Sequence, residues 1–335
     1  MRAVLVKDGK GPSGSLHIGE VPIPVIGNRE VLVKIKAFGL NRMDISQREG
    51  KYPPPPGSST ILGVEFSGTI ESISPDVRNW QVGDEVLGLA GGGAYAEFIA
   101  VKQTHIIRKP NYLSWVDAAS IPEVFLTAFQ ALVVIGQVGS NDNVLVHAAA
   151  SGVGIAAIQL ARIYGAHKVI GTTSTQTKID WLLKLPNGPT DAINYKTQDF
   201  ALVSKQITGN KGVNVVIDFV GKTHFNKNID VLAVDGRMTM LSLLSGTTVE
   251  EVNLMPILYK RLHIEGSTLR SRSVEYQANL ISRFRDEVFA KITGEAGPGP
   301  IRTFIHKVYS WNDIRLAHEE MEANNNSGKI VVEVD

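Results

Sequence analysis

The segment 144–164 constrains the fold more than any other part of the chain. It begins with the β-branched and leucine run Val144 to Val146, which is typical of a buried strand. A turn of small residues follows, and then Ile155, Ile158 and Leu160 are spaced by alanines as in a helix packed closely on a sheet. A strand, a tight turn and a helix in this order present free backbone N–H groups to a phosphate.

The turn itself carries a degraded dinucleotide fingerprint. Such a turn needs small residues where the backbone bends, where it approaches a pyrophosphate and where the helix packs on the strand. These places fall on Ala148, Ser151 and Gly154, so only one of the three usual glycines is present. An α/β domain that binds no nucleotide can carry the same small residues, and both interpretations stay open at this point.

The regions on either side differ in pattern. Residues 1–109 contain short strand-like runs separated by Gly, Pro and Asn, which predicts a β-rich domain. After Pro110 helix and strand patterns alternate, which predicts a parallel sheet covered on both faces. The strand, helix and strand predicted from Arg302 onward resemble the first region. We therefore expect three stretches, 1–122, 123–262 and 263–335, of which the first and last form one domain.

Composition limits the class of ligand. Among 335 residues, Lys and Arg number 34 and Asp and Glu number 33, so no strong field favours nucleic acid or a membrane surface. The chain has no cysteine, which excludes disulfides, cysteine-ligated metals and a thiol nucleophile. Neither a signal peptide nor a membrane-spanning run is apparent. We expect a cytoplasmic protein whose ligands are small molecules.

The residues after the second predicted strand bear on the choice of cofactor. An acid about 20 residues past the glycine turn binds the ribose 2′-hydroxyl of NAD. Here the stretch from Gly171 to Lys178 is rich in hydroxyl groups, and no carboxylate precedes Asp180. This favours a 2′-phosphate and hence NADP(H). Lys178 and Tyr195 could bind that phosphate, although a solvated lysine and an edge-strand tyrosine fit the pattern as well.

No metal site or hydrolase triad is apparent in the sequence. The eight histidines are scattered, with no pair at i, i+4 spacing and no cluster of acids beside them. There is no Gly-x-Ser-x-Gly elbow. His147 is interpreted as a hydrogen-bonded histidine at a strand end rather than as a catalytic group. The chemistry that remains is hydride or electron transfer by a bound cofactor.

Taken together, these features resemble the zinc-free quinone oxidoreductases, the zeta-crystallin-like branch of the medium-chain dehydrogenase/reductase superfamily, and in particular its tumour-suppressor-inducible members. The family signature around the turn is met at seven places: Asp142, Leu145, Ala149-Ala150, Gly152, Gly154, Gln159 and Arg162. Five further stretches match in order: 40–44, 50–57, 121–130, 269–272 and 321–331. The sequence departs at Ser151, where glycine is usual.

The resemblance implies a Rossmann nucleotide-binding domain and a β-rich, GroES-like catalytic domain. In zinc-dependent relatives a histidine ligand precedes the glutamate that corresponds to Glu65. Val64 stands there in this chain, and the four-cysteine lobe is missing, so zinc-dependent alcohol dehydrogenation is excluded.

The resemblance also implies a set of cofactor contacts. Thr127 would lie near the nicotinamide, Ser151, Gly152 and Val153 at the pyrophosphate, and Ser174, Lys178 and Tyr195 at the 2′-phosphate. Four more residues would line the rest of the groove: Val220, Ser242, Leu269 and Asn326.

Asn41, Asp44 and Tyr52 match the family's substrate-pocket positions, and Tyr52 is also expected to contact the cofactor. Asn41 and Asp44 are also spaced as the N-cap and N3 acid of a short helix, a purely structural alternative. Tyr52 precedes four prolines, whose stiffness would fix it at a cleft mouth, unless it only packs on their rings. Its expected role is to hold the acceptor carbonyl, not to abstract a proton.

The function that the resemblance implies is NADPH-dependent reduction of quinones, in particular ortho-quinones by one-electron transfer. Reduction of α,β-unsaturated carbonyls or enoyl thioesters is an alternative on the same fold. A structural, crystallin-like or RNA-binding role is a third, against which the balanced charge counts. The resemblance further implies a homodimer formed through an outer strand near 261–267, although a covered edge strand would have the same pattern.

Overall fold

The computed structural model describes residues 1–294 and 299–335, which form two compact units. The first unit comprises Met1–Leu126 and Leu269–Asp335, and the second comprises Thr127–Thr268. The predicted limits were 122/123 and 262/263. The later boundary falls beyond the predicted one because the strand His263–Gly266 pairs with the sheet of the second unit.

The described residues contain fifteen strands and eleven α-helices. The strands are β1 (Arg2–Val6), β2 (Leu16–Glu20), β3 (Glu30–Gly39), β4 (Glu65–Ile73), β5 (Glu85–Leu89), β6 (Phe98–Lys102), β7 (Ile106–Arg108), β8 (Asn143–Val146), β9 (Lys168–Thr173), β10 (Asp191–Asn194), β11 (Val213–Asp218), β12 (Leu232–Met240), β13 (His263–Gly266), β14 (Ile305–Ser310) and β15 (Lys329–Glu333).

The helices are α1 (Arg42–Arg48), α2 (Trp115–Ala119), α3 (Pro122–Phe129), α4 (Gly152–Ile163), α5 (Gln176–Leu183), α6 (Phe200–Ile207), α7 (Phe225–Val231), α8 (Met255–Tyr259), α9 (Val274–Phe284), α10 (Ala290–Thr293) and α11 (Ile314–Glu322). Two segments are π-helical, Gln130–Ile135 and Arg285–Phe289. None of the described helices is long and apolar enough to cross a lipid bilayer.

The first unit is built around a seven-stranded sheet. Its order is β14-β15-β3-β4-β5-β7, with β6 paired to β3, and β1 and β2 form a separate hairpin. Strand β3 shows why this sheet forms, because Val31, Val33 and Ile35 are buried while Lys34 and Lys36 face solvent. The strands β14 and β15 join this sheet as predicted, so the end of the chain completes the domain that its beginning started.

The second unit contains a six-stranded parallel sheet in the order β10-β9-β8-β11-β12-β13. Strand β8 lies inside it and is fully buried, which explains its run of β-branched and leucine residues. The predicted Rossmann sheet is therefore confirmed. Strand order reverses at β8, and ligands of such sheets bind outside the carboxyl ends of the strands at this reversal.

Several elements differ from the predicted ones. The apolar pattern of 122–137 predicts a single helix, but the structure forms α3 followed by the π-helical segment Gln130–Ile135. The sequence pattern predicts a strand over 237–243, but β12 already begins at Leu232 and passes Asp235, whose φ is positive at 59°. Helix α9 was not predicted from the sequence. Its N-cap is Ser273, a residue type common at this position, and the Ser273 side chain accepts a hydrogen bond from the Tyr276 amide.

Candidate functional site

The turn between β8 and α4 has the backbone of a dinucleotide turn. Ala148 adopts a positive φ of 46°, a conformation that costs least with glycine. A Cβ on Gly154 would lie 2.5 Å from the Ala148 carbonyl oxygen, so only glycine fits there. The backbone at positions 148 and 154 thus explains why glycine is usual at both. At position 148 this chain has alanine, which adopts the positive φ at some conformational cost.

Ser151 is the N-cap of helix α4, and backbone amides that follow it are free to bind an anion. Its side chain accepts a hydrogen bond from the Gly154 amide at 3.1 Å. The amides of Gly152 and Val153 belong to the first helical turn, where no intrahelical acceptor exists. The positive end of the twelve-residue helix adds to the attraction for a phosphate. These residues therefore fit a diphosphate.

Three residues predicted to bind the 2′-phosphate lie near the carboxyl ends of the neighbouring strands β9 and β10. The two strands are parallel neighbours, and the Tyr195 amide donates to the Thr173 carbonyl at 3.1 Å. Ser174 directly follows β9, and Lys178 lies in the first turn of α5. Lys178 is half-buried, and this burial lowers its pKa. An anion at this corner would offset the unfavourable position of a cation at a helix N-terminus.

Val220 and Ser242 follow the carboxyl ends of β11 and β12, the same edge of the sheet. The buried Asp218 holds the first of these loops by accepting a hydrogen bond from the Val220 amide at 2.7 Å. Thr127 is the first residue of the second unit, whereas Leu269 and Asn326 belong to the first unit. The structure therefore gathers most predicted cofactor residues of the second unit along one sheet edge.

His147 is a structural histidine. Its Nδ1 lies 2.8 Å from Thr172 Oγ1 and its Nε2 lies 2.7 Å from Asn228 Oδ1, and the ring is fully buried. Burial lowers its pKa to about 4, so the ring is neutral near pH 7. This confirms the interpretation of His147 as a hydrogen-bonded strand-end residue.

The first unit contains a buried cluster around Glu65. Asn41 Nδ2 donates to Glu65 Oε1 at 2.8 Å, and the Lys329 ammonium lies 2.5 Å from the same oxygen. Lys329 also donates to Asn41 Oδ1 at 2.6 Å. The other carboxylate oxygen of Glu65 accepts from the Glu123 amide at 2.8 Å. A lysine thus supplies the positive charge beside this buried glutamate.

Val64, the residue before Glu65, is fully buried. In the described part of the chain no three His, Cys, Asp or Glu side chains are grouped so that they could hold a metal ion. Glu65 and Lys329 were not assigned roles from the sequence. The pair is distant in sequence, and only the pairing of β15 with β3 brings Lys329 to this sheet.

Asp44 has the capping role that its spacing predicted. Its Oδ2 accepts from the Asn41 amide at 2.8 Å and from the Tyr95 hydroxyl at 3.1 Å, and Oδ1 accepts from the Gly63 amide at 3.3 Å. Burial raises its pKa to about 6, although these hydrogen bonds oppose the shift. The side chain of Asn41, in contrast, extends to Glu65 and Lys329.

A chain of buried side chains continues from Asp44. The Tyr95 hydroxyl lies 3.3 Å from His318 Nε2, and His318 Nδ1 lies 3.1 Å from Arg48 Nη1. Because arginine can only donate, Nδ1 is the acceptor and Nε2 carries the proton. Burial lowers the pKa of His318 to about 3. Each donor in this series of side chains meets an acceptor, so the hydrogen bonds fix the orientation of Asp44.

Tyr52 lies beside an arginine that sequence reasoning did not identify. The guanidinium carbon of Arg270 is 5.7 Å from the centroid of the Tyr52 ring. Burial raises the pKa of the Tyr52 phenol, so it remains protonated near neutral pH and can donate a hydrogen bond. This agrees with the expected role of holding a carbonyl. Arg270 was part of a matching stretch, but nothing in its local pattern showed that it would be buried.

Two family models match the chain. One described as an alcohol dehydrogenase GroES-like domain matches residues 27–111, and one described as a zinc-binding dehydrogenase matches residues 152–285. A quinone oxidoreductase of Pseudomonas aeruginosa is 31% identical over 308 residues, which are 91% of each protein. The chain spans 65% of the Danio rerio synaptic vesicle membrane protein VAT-1 homolog, to which it is 30% identical.

Solved structures agree with these relatives. The Escherichia coli quinone oxidoreductase complexed with NADPH is 28% identical, with a TM-score of 0.85, over 99% of this chain and all of that one. The CurF ER cyclopropanase from the curacin A biosynthetic pathway is 27% identical, also with a TM-score of 0.85, over all of this chain and 99% of that one.

Proposed function

Because the chain belongs to the medium-chain dehydrogenase/reductase family, among its quinone oxidoreductases, we propose that it is an NADPH-dependent quinone reductase that works without a metal. The observation that carries this proposal is the presence of two sites, one suited to the cofactor and one suited to the acceptor. A phosphate-binding turn and a hydroxyl-rich strand end lie on one edge of the parallel sheet, and Tyr52 and Arg270 lie together in the first unit.

The reaction requires little from the protein beyond holding the cofactor and the quinone in a suitable orientation. When bound, the reduced nicotinamide supplies the reducing electrons; overall, NADPH, a quinone and a proton give NADP⁺ and a hydroquinone, with the two electrons transferred together or one at a time. The Tyr52 phenol donates a hydrogen bond to the acceptor oxygen. Arg270 places a positive charge near the oxygens as they become negative. A reduced quinone is a weak base that water can protonate, so no titrating side chain is required.

The preference for NADPH over NADH is supported by the end of β9. Ser174 follows β9, Tyr195 follows the neighbouring strand β10, and Lys178 lies in the first turn of α5, while β9 ends in Thr172 and Thr173 rather than in an acid. A carboxylate at this place would bind a ribose hydroxyl and repel a phosphate. The solved Escherichia coli relative contains NADPH, which is consistent with this preference.

Reduction of conjugated carbonyls is the second candidate. The similarity to the CurF ER cyclopropanase, at a TM-score of 0.85, favours it. An alkenal or enoyl thioester would accept a hydride at carbon, and its carbonyl oxygen would then need the same hydrogen bond from Tyr52. Both substrate classes are conjugated acceptors, so the family fold alone does not separate them.

A substrate panel tests the proposal. Purified protein is assayed for NADPH and NADH oxidation with 9,10-phenanthrenequinone, trans-2-nonenal and crotonyl-CoA. We expect the quinone to give the highest kcat/KM, and NADPH to exceed NADH. A higher kcat/KM with nonenal or crotonyl-CoA would replace the quinone proposal by the second candidate. If NADPH neither raises the melting temperature nor is oxidised with any acceptor, the oxidoreductase proposal is wrong.

A further inference from the structure

Arg270 is a buried cation that does not use all of its hydrogen-bond donors within the described part of the chain. Its side chain is 4% exposed. Its Nε donates to the Gly91 carbonyl at 2.7 Å, but among the described residues neither Nη1 nor Nη2 has a hydrogen-bond partner. Leaving buried donors unpaired costs free energy, so their retention needs an explanation.

The carboxylates near Arg270 do not accept hydrogen bonds from Nη1 or Nη2. Asp44 is the carboxylate that raises the pKa of Arg270 most, against the larger lowering by burial, but its oxygens already accept from the Asn41 amide, the Gly63 amide and the Tyr95 hydroxyl. Glu123 also faces Arg270, and its own interactions do not include a hydrogen bond to either Nη atom. Among the described residues, Nη1 and Nη2 therefore lie near negative charges without a hydrogen bond to a carboxylate.

The position of the guanidinium is fixed by its surroundings. Gln277 of helix α9 donates to the carbonyl oxygens of Leu269 and Arg270, at 2.9 and 3.3 Å. A Cβ on Gly92 would lie 3.3 Å from Nη2, so glycine provides the space that the guanidinium occupies. A group held in this way loses little further freedom when a ligand binds.

Arg270 also lies on the wall of a cavity. The cavity has a volume of about 650 Å³, and Pro55, Gly57, Ser59 and Ser271 contribute to its lining. Its volume is within the range that holds a small organic ligand. The half-buried Tyr52 ring lies above the guanidinium, and both Nη atoms are shielded from solvent in this structure.

We propose that Arg270 is a substrate-specificity residue that binds the two adjacent oxygens of an ortho-quinone through Nη1 and Nη2, once the Tyr52 ring has rotated to lie against the quinone. This rests on the proposed function and on the ortho-quinone class that the resemblance implies, and it names the residue that would select that class. Two parallel N–H donors match two neighbouring oxygens on one edge of a ring, whereas a para-quinone presents one oxygen to the fork. The interaction strengthens as the oxygens gain negative charge, which favours the reduced state.

The first test compares two quinones that differ only in the placement of their oxygens, 1,2-naphthoquinone and 1,4-naphthoquinone. Arg270→Lys keeps the charge and removes the fork. We expect its kcat/KM to fall at least tenfold for the 1,2-isomer and less than threefold for the 1,4-isomer. Arg285→Lys, at an exposed arginine of the same unit that does not line this cavity, should leave both values within twofold. Melting temperatures verify that each variant is folded.

A second measurement does not depend on turnover or on the variant's catalytic rate. 4-Nitrocatechol, with adjacent oxygens, and nitrohydroquinone, with opposed oxygens, are titrated by their absorbance spectra. We expect the wild-type protein to bind 4-nitrocatechol at least tenfold more tightly than nitrohydroquinone, and Arg270→Lys to abolish this difference. If the variant does not fold, the wild-type comparison remains, and equal affinity for the two compounds would overturn the proposal.

The outcomes separate the two proposals. Equal losses for both quinones in Arg270→Lys would overturn the role of Arg270 while leaving quinone reduction intact. No NADPH oxidation with either quinone, together with selective binding of 4-nitrocatechol that Arg270→Lys abolishes, would reject the redox function but keep the site. Absence of both reduction and selective binding rejects both.

Discussion

The ammonium group of Lys329 lies 2.5 Å from Oε1 of Glu65, and both side chains are at least 95% buried. Asn41 contacts both partners, with Nδ2 on the glutamate and Oδ1 on the lysine. This arrangement neutralises a buried carboxylate with a side chain of the same polypeptide. It also fixes Asn41, the residue that precedes α1, and through it the first turn of α1, in which Asp44 lies.

Removing the lysine should therefore be costly. Lys329→Met leaves Glu65 buried without its counter-charge, and we expect the free energy of unfolding to fall by about 3–5 kcal/mol. Urea unfolding monitored by circular dichroism measures this change. The double variant Glu65→Gln with Lys329→Met should recover most of the loss. Lys205→Met, which breaks a partly exposed pair with Asp230, should cost less than about 1 kcal/mol.

Stability should decline in acid because three histidines are buried in the neutral form. Burial lowers the pKa of His147 and His224 to about 4 and that of His318 to about 3. Below pH 6.5 the unfolded chain binds protons that the native protein does not, so the free energy of unfolding falls as pH falls toward 4. Asp44, whose pKa is raised to about 6, has the opposite effect between pH 6 and 4.

The measurement is urea unfolding between pH 7 and 5 for the wild type and His318→Gln. We expect the variant's free energy of unfolding to depend less on pH, by up to about 1.4 kcal/mol per pH unit in the window below 6.5. His17→Gln, at an exposed position, should keep the wild-type slope. An unchanged slope in His318→Gln would show that this ring already titrates normally in the native protein.

The 2′-phosphate assignment predicts the effect of replacing Lys178. Lys178→Ala should raise the KM for NADPH about tenfold and leave the KM for NADH nearly unchanged, because only NADPH carries the additional phosphate. Lys184→Ala, an exposed lysine at the other end of α5, serves as the control. Retention of the full preference for NADPH in Lys178→Ala would show that this corner does not bind the phosphate.

Tyr52→Phe should have a modest effect. The ring that packs beside Arg270 is retained, and only the phenolic hydrogen bond to the acceptor is lost. We expect kcat/KM for the quinone to fall by less than about tenfold, with no change in the shape of the pH profile between 6 and 8. A loss of several hundredfold, or a new ionisation in this range, would instead indicate that the phenol transfers a proton.

We propose that two copies of the chain associate through β13, one of the two edge strands of the parallel sheet. The preceding helix α8 adds exposed apolar side chains, since Leu258 and Tyr259 are both 72% exposed. Leu258→Asp should convert a dimer into a monomer in sedimentation or light-scattering measurements. Leu202→Asp, at a position 60% exposed on α6, should not. A wild-type monomer at micromolar concentration would contradict this proposal.

Much of this protein was determined by its sequence alone. Local patterns identified the β-rich and alternating regions, because apolar periodicity and turn residues act over a few positions. The phosphate turn could be predicted for the same reason, as Ala148, Ser151 and Gly154 are neighbours along the chain. The cap formed by Asp44 on the Asn41 amide is likewise a contact over three residues.

Only the tertiary structure decided the contacts that join distant segments. The pairing of β15 with β3 brings Lys329 to Glu65, although 264 positions separate them. The segment from Leu269 returns to the first unit and places Arg270 beside Tyr52. No local pattern encodes these meetings, because they depend on which strands pair and how the chain re-enters its first domain. The sequence thus determined the elements and the nucleotide turn, and the tertiary packing decided which charges meet.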